Sequence, residues 1–183
     1  MVEGPGPFLG RPAAVRPEGP PLRLAIHTLD NRTFESNLEL KYTDYLKKEL
    51  QASGAAKIVQ DEREADFILT GAIESVSLPS LTFTPDQTRE SRVTVSVKVQ
   101  VKDRETGTIR WTQTLQSSAD FFVGAAPQGG GAASGLQFNR VLQDRALEQA
   151  GQLIAEDLSD RLLLAREQGV FSSSAPGPAA RAS

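Results

Sequence analysis

The sequence predicts an α+β fold: a two-layer sandwich with two amphipathic helices packed on one face of a mostly antiparallel or mixed sheet of four to five strands. Three observations carry this. Val93, Val95, Val97, Val99 and Val101 alternate with polar residues, and a second alternating run follows after a short turn. Such a pair is an antiparallel hairpin with one dry face and one wet face. Two other segments carry apolar stripes at helical spacing. The order is strand, helix, strands, hairpin, helix, and the three apolar faces are buried together when both helices lie on one side of the sheet.

Taken in order, Leu22 to Thr28 alternates and reads as a strand. Asn37 to Ser53 reads as a helix with a stripe of Leu38, Tyr42, Tyr45, Leu46 and Leu50. Ser36 or Asn37 is placed to cap its start, and Gly54 suits the left-handed position that ends it. Ala56 to Val59 is a short strand and Phe67 to Leu78 a longer one, followed by a loop bracketed by Pro79 and Pro85. The valine strand turns through Asp103 to Gly107, where Gly107 is free to take a positive φ. Ile109, Trp111 and Leu115 then share one phase, which places Trp111 between sheet and helices or at the edge of that layer. Gln137 to Arg166 reads as a long helix whose stripe is Leu147, Ala150, Ile154 and Leu158, flanked by Leu142, Leu153 and Leu162.

The 183 residues suit one domain. Residues 1–21 hold six of the 11 prolines and are expected to be an extended lead-in, because proline lacks the amide donor. The folded body is expected at 22–171, with a flexible glycine-rich loop at 124–135. Residues 172–183, rich in Ser, Ala, Pro and Gly, are expected to be a disordered tail.

Composition excludes several chemistries. There is no cysteine, hence no disulfide, thiolate metal site or cysteine nucleophile. One histidine, His27, rules out zinc sites built from several histidines, and it has no serine and aspartate at a triad spacing, so it reads as structural. The acidic run from Asp61 to Asp66 lacks the alternating ligands and turn glycine of a calcium loop. Gly129 to Gly131 lacks the ending of a phosphate loop. The chain therefore reads as non-enzymatic, without metal or cofactor. A pI of about 5.3 argues against nucleic acid as a partner.

The wet face of the hairpin is the informative surface. Between Thr88 and Thr112 stand six basic residues against three acidic ones, a local excess of +3 on a chain whose total is −3. Thr94, Ser96, Gln100, Thr112, Thr114 and Gln116 lie among them. A solvated sheet face, or pairing with Glu90 and Glu105, explains this without a ligand. The other reading is a surface that hydrogen-bonds a polar partner and accepts anionic groups such as phosphates.

Three segments together carry a resemblance: Leu24 to Glu35, with its Asp-Asn-Arg-Thr-Phe-Glu phrase; Ala65 to Ile73, with Ala-Asp-x-x-Leu-x-Gly; and Val93 to Trp111. In this order the chain resembles the LptE family of lipopolysaccharide-assembly lipoproteins over roughly Leu22 to Leu164. The Ala-Asp-x-x-Leu-x-Gly phrase is shared with envelope lipoproteins of the penicillin-binding-protein-activator and curli-secretion types, which act by protein–protein binding and supply the alternative reading. The LptE resemblance implies a component of the outer-membrane lipopolysaccharide machinery that plugs the LptD β-barrel, aids its assembly and binds lipopolysaccharide. It also implies a lipidated cysteine on the periplasmic side of the outer membrane. The chain has no cysteine, so anchor and leader are expected upstream of Met1, with the lead-in as tether. About 20 extended residues reach roughly 65–70 Å. The resemblance implies the ligand and not its contacts; by their place on the wet face of the hairpin, Arg92, Lys98, Lys102 and Arg110, with Arg89 at the edge, are the expected contacts of the anionic lipid. The side chain of Arg110 is expected to leave the core, being opposite in phase to Trp111.

Overall fold

The computed structural model describes residues 19–78, 89–123 and 132–172. Most of the expected lead-in, the loop after Pro79, most of the glycine-rich loop and nearly all of the tail lie outside the described residues. So do the side chains of Arg89, of Val123 and of residues 132–138.

The strands are β1 (Arg23–Ile26), β2 (Asp30–Asn31), β3 (Lys57–Ile58), β4 (Phe67–Ser77), β5 (Arg89–Asp103) and β6 (Ile109–Val123). The helices are α1 (Leu38–Ala52) and α2 (Ala132–Glu167), and one 3-10 turn spans Glu62–Glu64. All six strands form one sheet in the order β3-β1-β4-β5-β6, with β2 pairing β4 beyond the end of β1. Pairs among β1, β2, β3 and β4 are parallel, and β4–β5 and β5–β6 are antiparallel. The α+β class and the single helical layer are as the residue pattern predicts. The two-residue β2 adds a strand that has too few residues to show any period.

The core lies between the sheet and the helices. All five alternating valines from Val93 to Val101 are fully buried, with Leu115, Ala119 and Phe121 beside them on β6. From α1 they meet Leu38, Tyr42, Leu46 and Leu50, and from α2 Leu147, Ala150, Ile154, Leu158 and Leu162. Leu153 flanks this stripe on the solvent side, 40% exposed. The Tyr42 hydroxyl donates to the Leu147 carbonyl at 2.6 Å and ties the helices together. Arg166 closes the far end of α2 by donating to the Gly54 and Ala55 carbonyls at 3.1 and 2.9 Å. Gly54 takes the expected left-handed φ of 76°. Asn37 stands at the N-cap of α1, but in the left-handed region (φ 62°) and without a side-chain cap hydrogen bond.

Two irregularities re-aim side chains. The β4–β5 register shifts between Ile73 and Ser75, leaving Glu74 as the extra residue. The β5–β6 register shifts so that Val101 pairs Trp111 while Lys102 pairs Ile109, leaving Arg110 as the extra residue. A bulge breaks strict alternation. Trp111 stays with Leu115 and packs at the edge of the core against Phe171, with ring centroids 6.0 Å apart. Ile109, expected in the same phase, is 53% exposed. Phe171 also meets Phe67 edge-on at 5.3 Å. It reaches them because Gly169, with a φ of 75°, turns the chain back after α2.

Candidate functional site

The face of the sheet opposite the helices carries no helix among the described residues. At its β1 side lies a small apolar cluster of Ala25, Ala65 and Ile68 with Val59 against it. Most of the rest is polar: the even-numbered residues of β5 and β6 point away from the buried valines, and Phe122, 62% exposed, is the large apolar side chain among them. Thr94 and Ser118 sit across from each other and share a hydrogen bond of 2.8 Å. Lys98, Gln100, Thr112, Thr114 and Gln116 share this face by register.

The basic residues on it are not equivalent. Arg92 lies directly across from Asp120 and makes two hydrogen bonds to its carboxylate, at 2.6 and 3.2 Å. This contact holds the Asp120 carboxyl below its usual range. Neither Glu90 nor Glu105 takes that role; Glu105 instead stands 3.5 Å from Arg104. The alternation of β6 is legible in the sequence only to about Gln116, whereas the strand runs on to Val123 and so brings Asp120 across from Arg92.

Arg110 does not leave the core on the wet side. As the bulge residue it reaches the Ser172 carbonyl at 3.4 Å, and its Nε is buried without a hydrogen-bond partner. Ser172 follows Phe171, which belongs to the core, so the bulge turns Arg110 toward the helix side. Arg89 opens β5 across from Val123 at the far end of the hairpin. The structure therefore does not bring the five basic residues into one patch.

Lys98 and Lys102 remain. Neither has a carboxylate within 4 Å among the described residues. They are four residues apart on one strand, about 13 Å at the usual rise. Lys98 stands on the rim of a shallow cleft of about 220 Å³ with Asp30, Arg32, Thr70, Glu74 and Gln100. Ala72 and the backbone of Gly71 also line it. Arg32 is committed to Glu74 by two hydrogen bonds of 3.1 and 3.2 Å, so Lys98 and Asp30 are the charges of the cleft without such a partner. The cleft offers hydrogen-bonding groups and charges of both signs, and none of its lining side chains is a nucleophile held against a base.

The other titratable candidates are structural. His27 lies within 3.0 Å of Glu62 on an exposed edge. Asp61 accepts from the Arg63 backbone and guanidinium, which hold its carboxyl low, and Asp66 accepts from Arg23 at 2.9 Å. No group of acidic or histidine side chains among the described residues is arranged to hold a metal ion.

The Asp-Asn-Arg-Thr-Phe-Glu phrase builds a hydrogen-bonded turn ahead of α1. The Asn31 carboxamide accepts from the Thr33 amide (3.0 Å) and hydroxyl (2.7 Å). It donates to the Glu35 carbonyl (2.7 Å) and the Glu39 carboxylate (2.8 Å). An asparagine two residues before a threonine, ahead of a helix, is the signal of such an Asx turn.

Residues 23–165 match the model of the family described as LptE, lipopolysaccharide-assembly. Solved structures of similar fold include protein XCC0632 from Xanthomonas campestris, with 11% identity over 88% of this chain and 94% of that one and a TM-score of 0.53. A variant of PelC from Paraburkholderia phytofirmans, a dodecamer, has 16% identity over 78% of this chain and 87% of that one and a TM-score of 0.52. At these identities the likeness concerns the fold alone. A comparison with curated proteins finds none that matches.

Proposed function

The chain belongs to the LptE family, a non-enzymatic lipoprotein family of lipopolysaccharide assembly at the outer membrane, and from this premise we propose that it is the plug subunit of an LptD-like β-barrel, that it aids assembly of that barrel, and that it binds lipopolysaccharide through the open face of its sheet. The observation that carries the reading is that open face. Both helices pack on the other side, so β5 and β6 present Thr, Ser, Gln and two lysines that have no acidic partner among the described residues. The lumen of an outer-membrane barrel is polar, so a plug needs a polar outer surface. The anionic phosphates of lipopolysaccharide favour Lys98 and Lys102, where each ammonium is a mobile point charge with no carboxylate to displace. Arg92 can join them only by giving up Asp120, and Arg110 only by leaving Ser172.

No helix among the described residues is long and apolar enough to cross a membrane. The proposed attachment is a lipid anchor on the periplasmic side of the outer membrane.

The test is a pull-down from detergent-solubilised outer membranes of the source bacterium. Recovery of an LptD-like barrel in stoichiometric amount supports the plug role. Recovery of a murein synthase or a secretion pore instead of a barrel overturns it in favour of a regulator acting by protein–protein binding.

A further inference from the structure

We propose that the free edge of β6 and the flank of α2 beside it form the interface of a two-fold symmetric dimer, with a second copy of this chain as the partner. The inference stands apart from the plug reading. It concerns the chain outside a barrel, and the dyad passes through the edge of the sheet, so the wet face of each copy stays open. β6 is the last strand of the sheet and pairs only β5 among the described residues. Arg161 of α2 donates to the Thr114 carbonyl at 3.4 Å, which places that carbonyl on the outer side of β6. Alternate residues of an antiparallel strand turn their amides and carbonyls the same way, so Gln116, Ser118 and Asp120 present theirs to the outside as well. Such a row is matched by another extended backbone.

α2 packs on β5 and β6. One flank of its buried stripe faces α1, where Gly151 takes the Tyr42 ring and Ser159 donates to Ser53. At about 100° per residue, Leu153 and Leu164 lie on the opposite flank, which overlooks the β6 edge. Leu142, Leu153 and Leu164 stand there at intervals of 11 residues. That interval is close to three whole turns, so the three share one line along the helix. Leu153 is 40% exposed and Leu164 53%, and Leu142 is half-buried.

This line of leucines is its own complement. A two-fold axis at Leu153 sets that residue against its own copy, and sets Leu142 against the partner's Leu164 on either side, in an antiparallel pair of α2 helices. The same axis runs β6 antiparallel to its own copy, as an isologous contact requires. With each α2 above β5 and β6, the two helix axes stand two strand spacings apart, about 10 Å, which is a packing distance for helices. The charges select a copy of this chain over an unrelated strand. The ion pairs of α2 are Arg140 with Glu35 and Asp144, Glu148 with Lys41, and Arg161 with Asp157. Arg145 and Asp160 take part in none among the described residues, and they stand eight residues before Leu153 and seven after it. The axis therefore brings each Arg145 beside the partner's Asp160.

The experiment uses the full chain, which has no cysteine of its own. Sedimentation over a concentration series, beside circular dichroism, compares the unmodified chain with Leu153→Asp, Arg145→Asp, Asp160→Arg and the double charge reversal. The expected result is a concentration-dependent dimer. Leu153→Asp and each single reversal bring like charges together and weaken it at least about tenfold, and the double reversal restores it, with the fold unchanged throughout. Under mild oxidation Leu153→Cys gives a disulfide-linked dimer, and Leu40→Cys, at an exposed site on α1, does not. A chain that stays monomeric at about 100 μM overturns the proposal. So does a dimer that folded Leu153→Asp leaves unchanged, one that the double reversal fails to restore, or one linked through Leu40→Cys in place of Leu153→Cys. No barrel enters these measurements, so a failure of the plug reading shows in the pull-down alone.

Discussion

Gly151 of α2 receives the ring of Tyr42 from α1: a Cβ built on that glycine would clash with the ring at Cε1, Cζ and Cδ1. The Tyr42 hydroxyl bonds the Leu147 carbonyl, one helical turn before Gly151. The two helices therefore approach closely because one residue has no side chain and the other reaches across. Alanine is ordinarily preferred over glycine inside a helix by about 1 kcal/mol. Here Gly151→Ala is expected to destabilise by about 1–3 kcal/mol, since overpacking outweighs propensity. Chemical denaturation of Gly151→Ala, Tyr42→Leu and the double variant checks this, and the double variant should be more stable than the sum of the singles.

Burial pushes the Tyr42 phenol far above the ordinary tyrosine range. In the unfolded chain the phenol ionises near pH 10. The folded state holds the proton longer, so this residue's contribution is complete below about pH 10 and is lost as pH rises beyond it. Tyr42→Phe is expected to cost about 1 kcal/mol near neutrality for the lost hydrogen bond. It should also flatten the fall in stability from about pH 9 to pH 11, measured by denaturation at each pH.

Gly71 faces the core at a close approach of β4 and β5. An added Cβ would lie 2.5 Å from the Lys98 carbonyl oxygen and 3.0 Å from Leu29 Cδ2 and Val99 Cγ1. The first neighbour is backbone and cannot rotate away. Gly71→Ala is expected to lower stability by about 1–3 kcal/mol and to weaken amide-exchange protection along the β4–β5 ladder.

Removing Lys98 and Lys102 together, as glutamines, is expected to abolish most lipopolysaccharide binding and to reduce its salt dependence with the fold intact. Arg92→Gln should do less, because Asp120 already occupies that guanidinium. Titration at two ionic strengths separates these outcomes. Equal losses from both variants would show that Arg92 abandons Asp120 for the ligand.

Trp111 packs at the edge of the core with Phe171, where the ring is only partly buried. Trp111→Ala is expected to cost about 2 kcal/mol, below the 3–5 kcal/mol of a fully buried aromatic. As the only tryptophan, its native emission should fall between buried and water-exposed indole, and Phe171→Ala should shift it to longer wavelength.

What the sequence by itself determined are the features governed by local period. The five valines of β5 could alternate only as a strand with one dry face. The stripes of Leu38, Tyr42, Leu46 and Leu50 and of Leu147, Ala150, Ile154 and Leu158 could be buried only as helices. Gly54 marked the end of α1. These follow from repeats of two and of 3.6 residues, and they put the polar face of the sheet, with Lys98 and Lys102, opposite the helices. The tertiary structure decided what depends on partners distant in the chain. The extra residues Glu74 and Arg110 belong to the registers of β4 with β5 and of β5 with β6, which no single strand specifies. One bulge took Arg110 out of the row of cations, and the pairing of Asp120 with Arg92 came from a stretch of β6 whose own alternation had faded. Asn31 of β2, Glu39 of α1 and Arg140 of α2 together hold the loop around Phe34. The need for glycine at position 151 comes from Tyr42, more than a hundred residues earlier. Periodicity is a property of neighbours in sequence; register, close approach and ion-pair choice arise only when distant segments meet.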